Sequence, residues 1–348
     1  MPQSVLLLGA GGRAAYGEHP LARIAAVHPV VLVDPAPPAW ARPYLAGHIA
    51  ADPGQEDATA EAVAHHAARH GIDGVLTWTR EHLTAAALVA ARLRLPGIPY
   101  EAAAACTGPA ALQTLLARHR IAPAGREDGE GPLVSVEAVV LDDEVRIAAL
   151  TRTTPGPPPA RQPLRHSVHA HDGLLHNPFL RHTVERTVRA LGLTHTVVRI
   201  GLRLTARGPR VTDVVPHLPG DLIPLLVERA TGVDLARAAA ALATGGIPDV
   251  APTRQRAAAI QFAYPAATGS LTHLDMAPAA GSEPSAERMV LTRRPGDHVT
   301  AAAHADPADR LAHWVAEGDS PADCEHTLRR MAHHLSATIT PTARPHAA

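Results

Sequence analysis

Apolar runs and helical periodicity alternate along the first part of the chain. Val5–Leu8 and Val30–Val33 are continuous apolar runs typical of buried strands, and the apolar spacing between them is helical. The same order repeats, because the pattern predicts helix Glu56–His70, strand Gly74–Trp78 and helix Glu81–Arg94. This succession of strands and helices predicts a small parallel α/β lobe.

Alternation of apolar and polar residues replaces this pattern in the middle of the chain. Leu133–Leu141 and Val145–Arg152 predict one antiparallel hairpin, and His195–Leu204 with Arg210–Val215 predict a second. The histidine-rich segment 166–171 lies between the hairpins and is predicted as a loop before an amphipathic helix.

The last third predicts a further α+β lobe. Strand-like pieces cover Ala258–Tyr264, Arg288–Thr292 and Ala312–Ala316, and helix Pro321–Leu335 follows with Ser320 as its N-cap.

Composition limits the classes of function. The chain has 348 residues, 46% of them hydrophobic, and a net charge of −1, which predicts a globular protein. Aromatic residues are only 3% and there is no basic stripe, so we expect no nucleic-acid partner. The N-terminus lacks a basic signal-peptide region and no apolar run has membrane-spanning length, so we expect a cytoplasmic protein without a membrane partner. Cys106 and Cys324 are expected to be small core residues.

Lysine is absent. All 32 positively charged side chains are arginines, so any mechanism that needs a lysine is excluded.

Gly9, Gly11, Ala14 and Asp34 approximate a dinucleotide fingerprint. Nothing later in the chain supplies a hydride-transfer site, however, and we expect no NAD.

Several stretches, taken in order, carry a family resemblance: Gly74–Trp78, Cys106–Pro109, Val134–Ala138, Gly192–His195, Gly208–Asp213 with Gly220–Pro224, and Gly318–Ser320. With them the chain resembles an ATP-grasp carboxylate–amine ligase of the amino-acid ligase type. The resemblance implies an α/β fold, a homodimer, and an enzyme that phosphorylates a carboxylate with MgATP and lets an amine attack the acyl phosphate.

The predicted domains follow this resemblance: 1–100, the parallel α/β lobe; 101–132, a helix and a shortened linker in place of the nucleotide lid; 133–246, the reduced core; 247–338, the C-terminal α+β lobe; and 339–348, a frayed tail.

The chain departs from the family at the positions that hold the nucleotide and its metal ions. Pro109 stands where the family has its first lysine, and only a short loop precedes Leu133 where the lid and the second lysine belong. Gly201 replaces a metal-binding glutamate. The expected Glu-x-Asn-x-Arg reads Asp213-Val-Val-Pro-His217. Magnesium needs several hard oxygen ligands, so we expect neither nucleotide nor metal, and predict that ATP-dependent ligation is lost.

The polar groups that remain suit acid/base chemistry on an amino-acid-like carboxylate. Histidine can transfer protons near neutral pH, a neighbouring aspartate can orient it, and arginine binds carboxylates. The predicted residues are His217, Asp213 and His166 as acid/base groups, with Arg199, Arg203, Arg152, His169 and Asp221 as substrate-binding groups. Elimination, cyclisation or hydrolysis would fit.

Other interpretations stay open. An active ligase could use Arg118 and Arg120 in place of the lysines, and a non-catalytic protein could keep the fold as a binding or regulatory partner. His217 could be a solvated surface residue. The histidines at 166, 169, 171 and 176 match no established zinc spacing, so no zinc site is predicted.

Overall fold

The computed structural model describes residues 3–11, 14–125 and 131–341. None of the helices in these ranges is both long and apolar enough to cross a membrane. The chain divides into two compact units: unit 1 is Met1–Leu150 with Asp172–Thr253, and unit 2 is Thr151–His171 with Arg254–Ala348.

Unit 1 opens with a parallel α/β layer. Its elements are β1 (Val5–Leu8), α1 (Ala14–Ala25), β2 (Val30–Val33), β3 (Gly47–Ile49), α2 (Glu56–His70), β4 (Gly74–Leu76) and α3 (Leu83–Leu93). The strands lie in the order β3-β2-β1-β4 and all pair in parallel. Every residue of β1 and β2 is buried, as strands of a parallel sheet normally are. The predicted parallel α/β arrangement is confirmed.

The middle of the chain contains α4 (Tyr100–Thr107), α5 (Pro109–Arg118), β5 (Leu133–Leu141), β6 (Glu144–Pro155), β7 (Pro163–His169), α6 (Pro178–Leu191), β8 (Thr196–Thr205), β9 (Gly208–Val215), α7 (Ile223–Thr231) and α8 (Leu235–Ala243). In unit 1 the strand order is β6-β5-β8-β9, and β8 pairs antiparallel with both of its neighbours. Asn177 caps α6 by accepting backbone N–H bonds, and Gly192 ends it in the left-handed conformation.

The segment 119–132 joins α5 to β5. In its described part, 119–125 and 131–132, the only β contact is an isolated bridge between Pro123 and Val211.

Unit 2 adds β10 (Ala257–Ala263), β11 (Gly269–Met276), β12 (Ala286–Leu291), β13 (His298–Val299), β14 (Ala312–Gly318), α9 (Pro321–Ala332) and β15 (Leu335–Pro341). Its main sheet has the order β12-β14-β10-β7-β6, and a small sheet has the order β13-β11-β15. Ser320 caps α9 in a capping box with Asp323, which confirms the predicted N-cap.

The structure differs from the sequence predictions in three places. The histidine-rich segment predicted as a loop lies mostly in β7, which pairs with β6 on one side and β10 on the other. β11, β13 and β15 were not predicted, because much of each strand is exposed and only cross-strand pairing defines it. Residues 339–341 of the predicted tail belong to β15, and 342–348 lie outside the described residues.

Candidate functional site

Polar side chains meet on the central strands of unit 1. In the register of β5 with β8, Ser135 lies opposite Gly201 and Glu137 lies opposite Arg199. In the register of β8 with β9, Gly201 lies opposite Asp213. Residues two apart in a strand share a face, and directly opposed residues do as well. All five positions therefore lie on one face of the sheet.

Arg199 is the centre of this group. Its Nε donates to Ser135 Oγ at 3.1 Å and lies 3.8 Å from Glu137 Oε1, while Nη1 donates to Asp213 Oδ2 at 3.3 Å. Ser135 Oγ in turn donates to Glu137 Oε1 at 2.7 Å, and both of these side chains are fully buried. A buried carboxyl group such as that of Glu137 needs hydrogen-bond or ion-pair partners. The bonds from Arg199 to Ser135 and Asp213 hold its guanidinium in place.

A second guanidinium reaches the same carboxylate. Arg80 follows the carboxyl end of β4, and its Nη2 lies 3.6 Å from Asp213 Oδ2. Its Nη1 donates to the backbone carbonyl of Cys106 at 2.6 Å. Asp213 therefore lies between two arginines, both of them more than half shielded from solvent.

Gly201 makes room for that carboxylate. A Cβ atom at position 201 would lie 1.9 Å from Asp213 Oδ1 and 2.5 Å from Thr212 Oγ1. The glycine is therefore needed for space: the Asp213 side chain occupies the region into which a side chain at position 201 would extend.

His217 follows β9 and has a fixed tautomer. Its Nδ1 donates to the carbonyl oxygen of Leu218 at 2.8 Å, so Nε2 carries the lone pair. Nε2 is buried and has no hydrogen-bond partner among the residues that the structure describes. Burial, with a smaller contribution from the charges of Arg80 and Arg199, lowers the pKa of His217 from 6.5 to about 4. At neutral pH the ring is an uncharged acceptor.

The backbone therefore orients His217 in the described contacts, whereas the predicted partner Asp213 faces the arginines. Arg203 lies further along β8, where Nη1 is 3.5 Å from the carbonyl oxygen of Gly131. Asp221 follows β9 and has a left-handed backbone, with φ of 57°.

The remaining predicted residues belong to unit 2. His166 is buried in β7, where Nδ1 lies 3.0 Å from Thr153 Oγ1 and the ring lies edge-on to Phe262 at 5.7 Å between centroids. Arg152 lies on β6 opposite Ser167. His169 ends β7 and its ring lies 5.8 Å from that of His171.

Arg80, Ser135 and Glu137 are missing from the sequence-predicted set. Glu137 has a readable signal, since it is a charged residue inside the apolar strand β5. Arg80 has a weaker one, its place after the carboxyl end of a parallel strand, where ligands of α/β sheets commonly bind. Among the described residues, no group of three or more His, Cys, Asp or Glu side chains could hold a metal ion.

Comparisons with known proteins identify the architecture. Residues 261–340 match the family model described as L-amino acid ligase C-terminal domain 2. The chain is similar to the crystal structure of L-amino acid ligase from Bacillus licheniformis, with a TM-score of 0.82 and 15% identity over 97% of this chain and 99% of that one. Phosphoribosylglycinamide synthetase from Anaerococcus prevotii gives a TM-score of 0.78 and 13% identity over 97% of this chain and 100% of that one. The chain has the ATP-grasp fold.

A curated sequence relative extends the comparison without adding an activity. The uncharacterized protein y4rH from Sinorhizobium fredii (strain NBRC 101917 / NGR234) is 29% identical over 163 residues, or 47% of this chain. The match spans 34% of that protein, so about a third of its length is represented.

The ATP-grasp fold implies magnesium and ATP, and the acidic side chain of Asp213 in the central cluster does not fit a magnesium ligand. Magnesium prefers free carboxylate or amide oxygens, but Asp213 is paired with two arginines and fills the space beside Gly201. The chain also has no lysine for the phosphates. The central cluster contains two guanidinium and two carboxyl groups, from Arg80, Arg199, Asp213 and Glu137, so its formal charges balance.

Proposed function

We propose that this chain is an ATP-grasp-fold enzyme that acts on an amino-acid-like carboxylate without consuming a nucleotide. The placement of Asp213 between Arg199 and Arg80, over Gly201, carries the proposal. This arrangement replaces a cluster of metal-binding acids by an arginine–carboxylate network. Such a network favours a zwitterion or a single carboxylate over a triphosphate, because it offers guanidinium donors without a surplus of positive charge.

His217 is the proposed proton-transfer group. Its Nε2 has no hydrogen-bond partner among the residues that the structure describes, and because the ring is neutral at physiological pH this atom can accept a hydrogen bond or a proton from a bound substrate. Elimination, cyclisation or hydrolysis of an amino-acid-like molecule all use such a group. His166 and Arg152 belong to unit 2, and their roles stay predictions from the sequence.

The second candidate is an ATP-dependent carboxylate–amine ligase. The likeness to L-amino acid ligase over 97% of the chain and the family match at 261–340 favour it. It requires arginines to take over the role of the lysines in holding the phosphates.

Thermal unfolding with ligands tests the two candidates. A ligand that binds the folded state raises the melting temperature, so amino acids at millimolar concentration should raise it and MgATP should not. Arg199→Met should abolish the amino-acid effect, whereas Arg146→Met, at an exposed arginine paired with Glu144, should keep it.

A direct assay completes the test. The purified protein is incubated with MgATP and the full set of amino acids, and ADP and condensed products are measured by mass spectrometry. Amino-acid-dependent ADP formation would overturn the nucleotide-independent proposal and establish the ligase. If neither amino acids nor MgATP bind, the chain is not an enzyme of either kind and a role as a binding partner would take their place.

A further inference from the structure

Helix α2 carries a pair of histidines that lie one turn apart. His66 and His70 are four residues apart near the C-terminal end of the helix, so both side chains project from the same side of it. Their rings are neighbours, with 4.7 Å between centroids and an angle of 41° between the ring planes. Among the residues that the structure describes, neither imidazole has a hydrogen-bond partner.

We propose that His66 and His70 form a binding site for a divalent late transition-metal ion, with copper(II) bound most tightly. The two imidazoles would supply two nitrogen ligands, and water would complete the coordination. The site uses none of the residues that are proposed to act on the substrate. It is therefore independent of the proposed function.

The distance between the rings matches a chelate. A metal–nitrogen bond of about 2.1 Å, together with about 1.1 Å from the nitrogen to the ring centre, places each ring centre about 3.2 Å from the ion. Ring centres 4.7 Å apart then correspond to a nitrogen–metal–nitrogen angle of about 95°. This angle is close to the right angle of the tetragonal coordination that copper(II) and nickel(II) prefer, and it is smaller than the tetrahedral angle typical of zinc.

The surrounding part of α2 keeps the two histidines in this arrangement. Val63 is fully buried, and Ala62 and Ala67 pack against the same apolar core, so this stretch of the helix is fixed on the lobe. The helix ends directly after His70, where the backbone N–H of Gly71 donates to the carbonyl of Ala67. Because the C-terminal end of a helix carries partial negative charge, it favours a cation beside the last residue.

Arg69 is the basic side chain next to the pair. Its guanidinium donates to Nε2 of His65, which is also four residues away on the same helix. Burial, His70 and Arg69, in that order, lower the pKa of His66, so the charge of Arg69 reaches this ring. Since like charges repel, we expect Arg69 to weaken metal binding without preventing it.

Calorimetric titration of the full-length, EDTA-treated chain with copper(II), nickel(II), zinc(II) and magnesium chlorides near neutral pH tests the inference. Copper(II) should bind most tightly, followed by nickel(II) and zinc(II), whereas magnesium should not bind because it prefers oxygen ligands. The chain has 23 histidines, and others will bind copper weakly. The site is therefore measured as the tight equivalent that the double variant with His66→Gln and His70→Gln lacks. Equal titrations of wild type and double variant would overturn the inference, as would tighter binding of zinc than of copper.

Single variants separate a chelate from isolated histidines. His66→Gln and His70→Gln should each weaken tight copper binding at least about tenfold, because the second ligand no longer binds intramolecularly. His70 is exposed, so its variant tests the site even if His66→Gln folds poorly. His65→Gln is the matched control, since this exposed histidine lies on the same helix and faces Arg69, and it should keep the affinity within about twofold. A loss at His65→Gln as large as that at His70→Gln would contradict the assignment.

Two further readouts follow from the geometry. Electron paramagnetic resonance of the copper-loaded chain should show coupling to two imidazole nitrogens, and either single variant should lose one of them. Arg69→Gln should tighten copper binding about twofold to fivefold at low ionic strength, and added salt should reduce this gain. Weaker copper binding by Arg69→Gln would show that the ion lies elsewhere.

Discussion

Asp213 and Arg199 stand on neighbouring strands, and the carboxylate Oδ2 of one lies 3.3 Å from the guanidinium Nη1 of the other. The strand register places Asp213 opposite Gly201, and the absence of a Cβ there leaves room for its side chain. The glycine at position 201 therefore allows Asp213 to pair with the arginines; a side chain at position 201 would occupy the same space. The chemistry proposed for the site follows from that local geometry.

Replacing Asp213 by asparagine should destabilise unit 1. The two arginines would lose their shared counter-charge, and we expect the free energy of unfolding to fall by about 1–2 kcal/mol in urea titrations. Asp57→Asn is the control, because its carboxylate is 90% exposed although it lies only 2.8 Å from Arg92. That change should cost less than about 0.5 kcal/mol. Equal losses in the two variants would show that the partly buried network contributes no more than a surface pair.

Alanine at position 201 should displace Asp213 from its place. The added Cβ would lie 1.9 Å from Oδ1, so the aspartate must rotate away from Arg199. We expect a loss of about 1–3 kcal/mol. In a double-mutant cycle, the same substitution in an Asp213→Ala background should cost markedly less. Strictly additive losses would contradict the proposed steric relationship.

The stability of the protein should fall in acid partly through His217. Its pKa in the folded protein is lowered to about 4 by burial, below its ordinary value of 6.5, so the unfolded chain binds the proton more readily. The stabilisation is present above pH 6.5 and is lost as the pH falls towards 4, by at most on the order of 3 kcal/mol. His217→Gln, which cannot titrate, should show a smaller loss of unfolding free energy between pH 6.5 and 4.5 than wild type. An unchanged slope would argue against burial of the ring.

The two cysteines should resist alkylation in the native protein. Cys106 and Cys324 are buried, and burial raises the pKa of each thiol to about 12, so neither forms an appreciable thiolate at pH 8. Iodoacetamide should label both only after denaturation, as read by intact-mass spectrometry. Rapid labelling of either thiol in the folded protein would show that its surroundings open.

Apolar runs and helical periodicity in the sequence predict much of the fold. The buried runs Val5–Leu8 and Val30–Val33 and the helix Glu56–His70 carry their own signals, and the structure gives the same bounds. β15 has no such signal, because most of its residues are exposed and it exists as a strand only through pairing with β11. β7 contains histidines and a proline, and its pairing with β6 and β10 outweighs this weak strand preference.

For the site, the sequence by itself determined the chemistry that is available: arginine is the only cationic side chain apart from histidine, position 201 has no side chain, and Asp213 and His217 follow one another along one strand end. Only the tertiary structure decided which groups meet. Arg80 reaches Asp213 from 133 residues away in sequence, and Leu218 fixes the tautomer of His217. The physical reason is that strand register and burial set these distances and solvent shielding, and both depend on neighbours that lie far away along the chain.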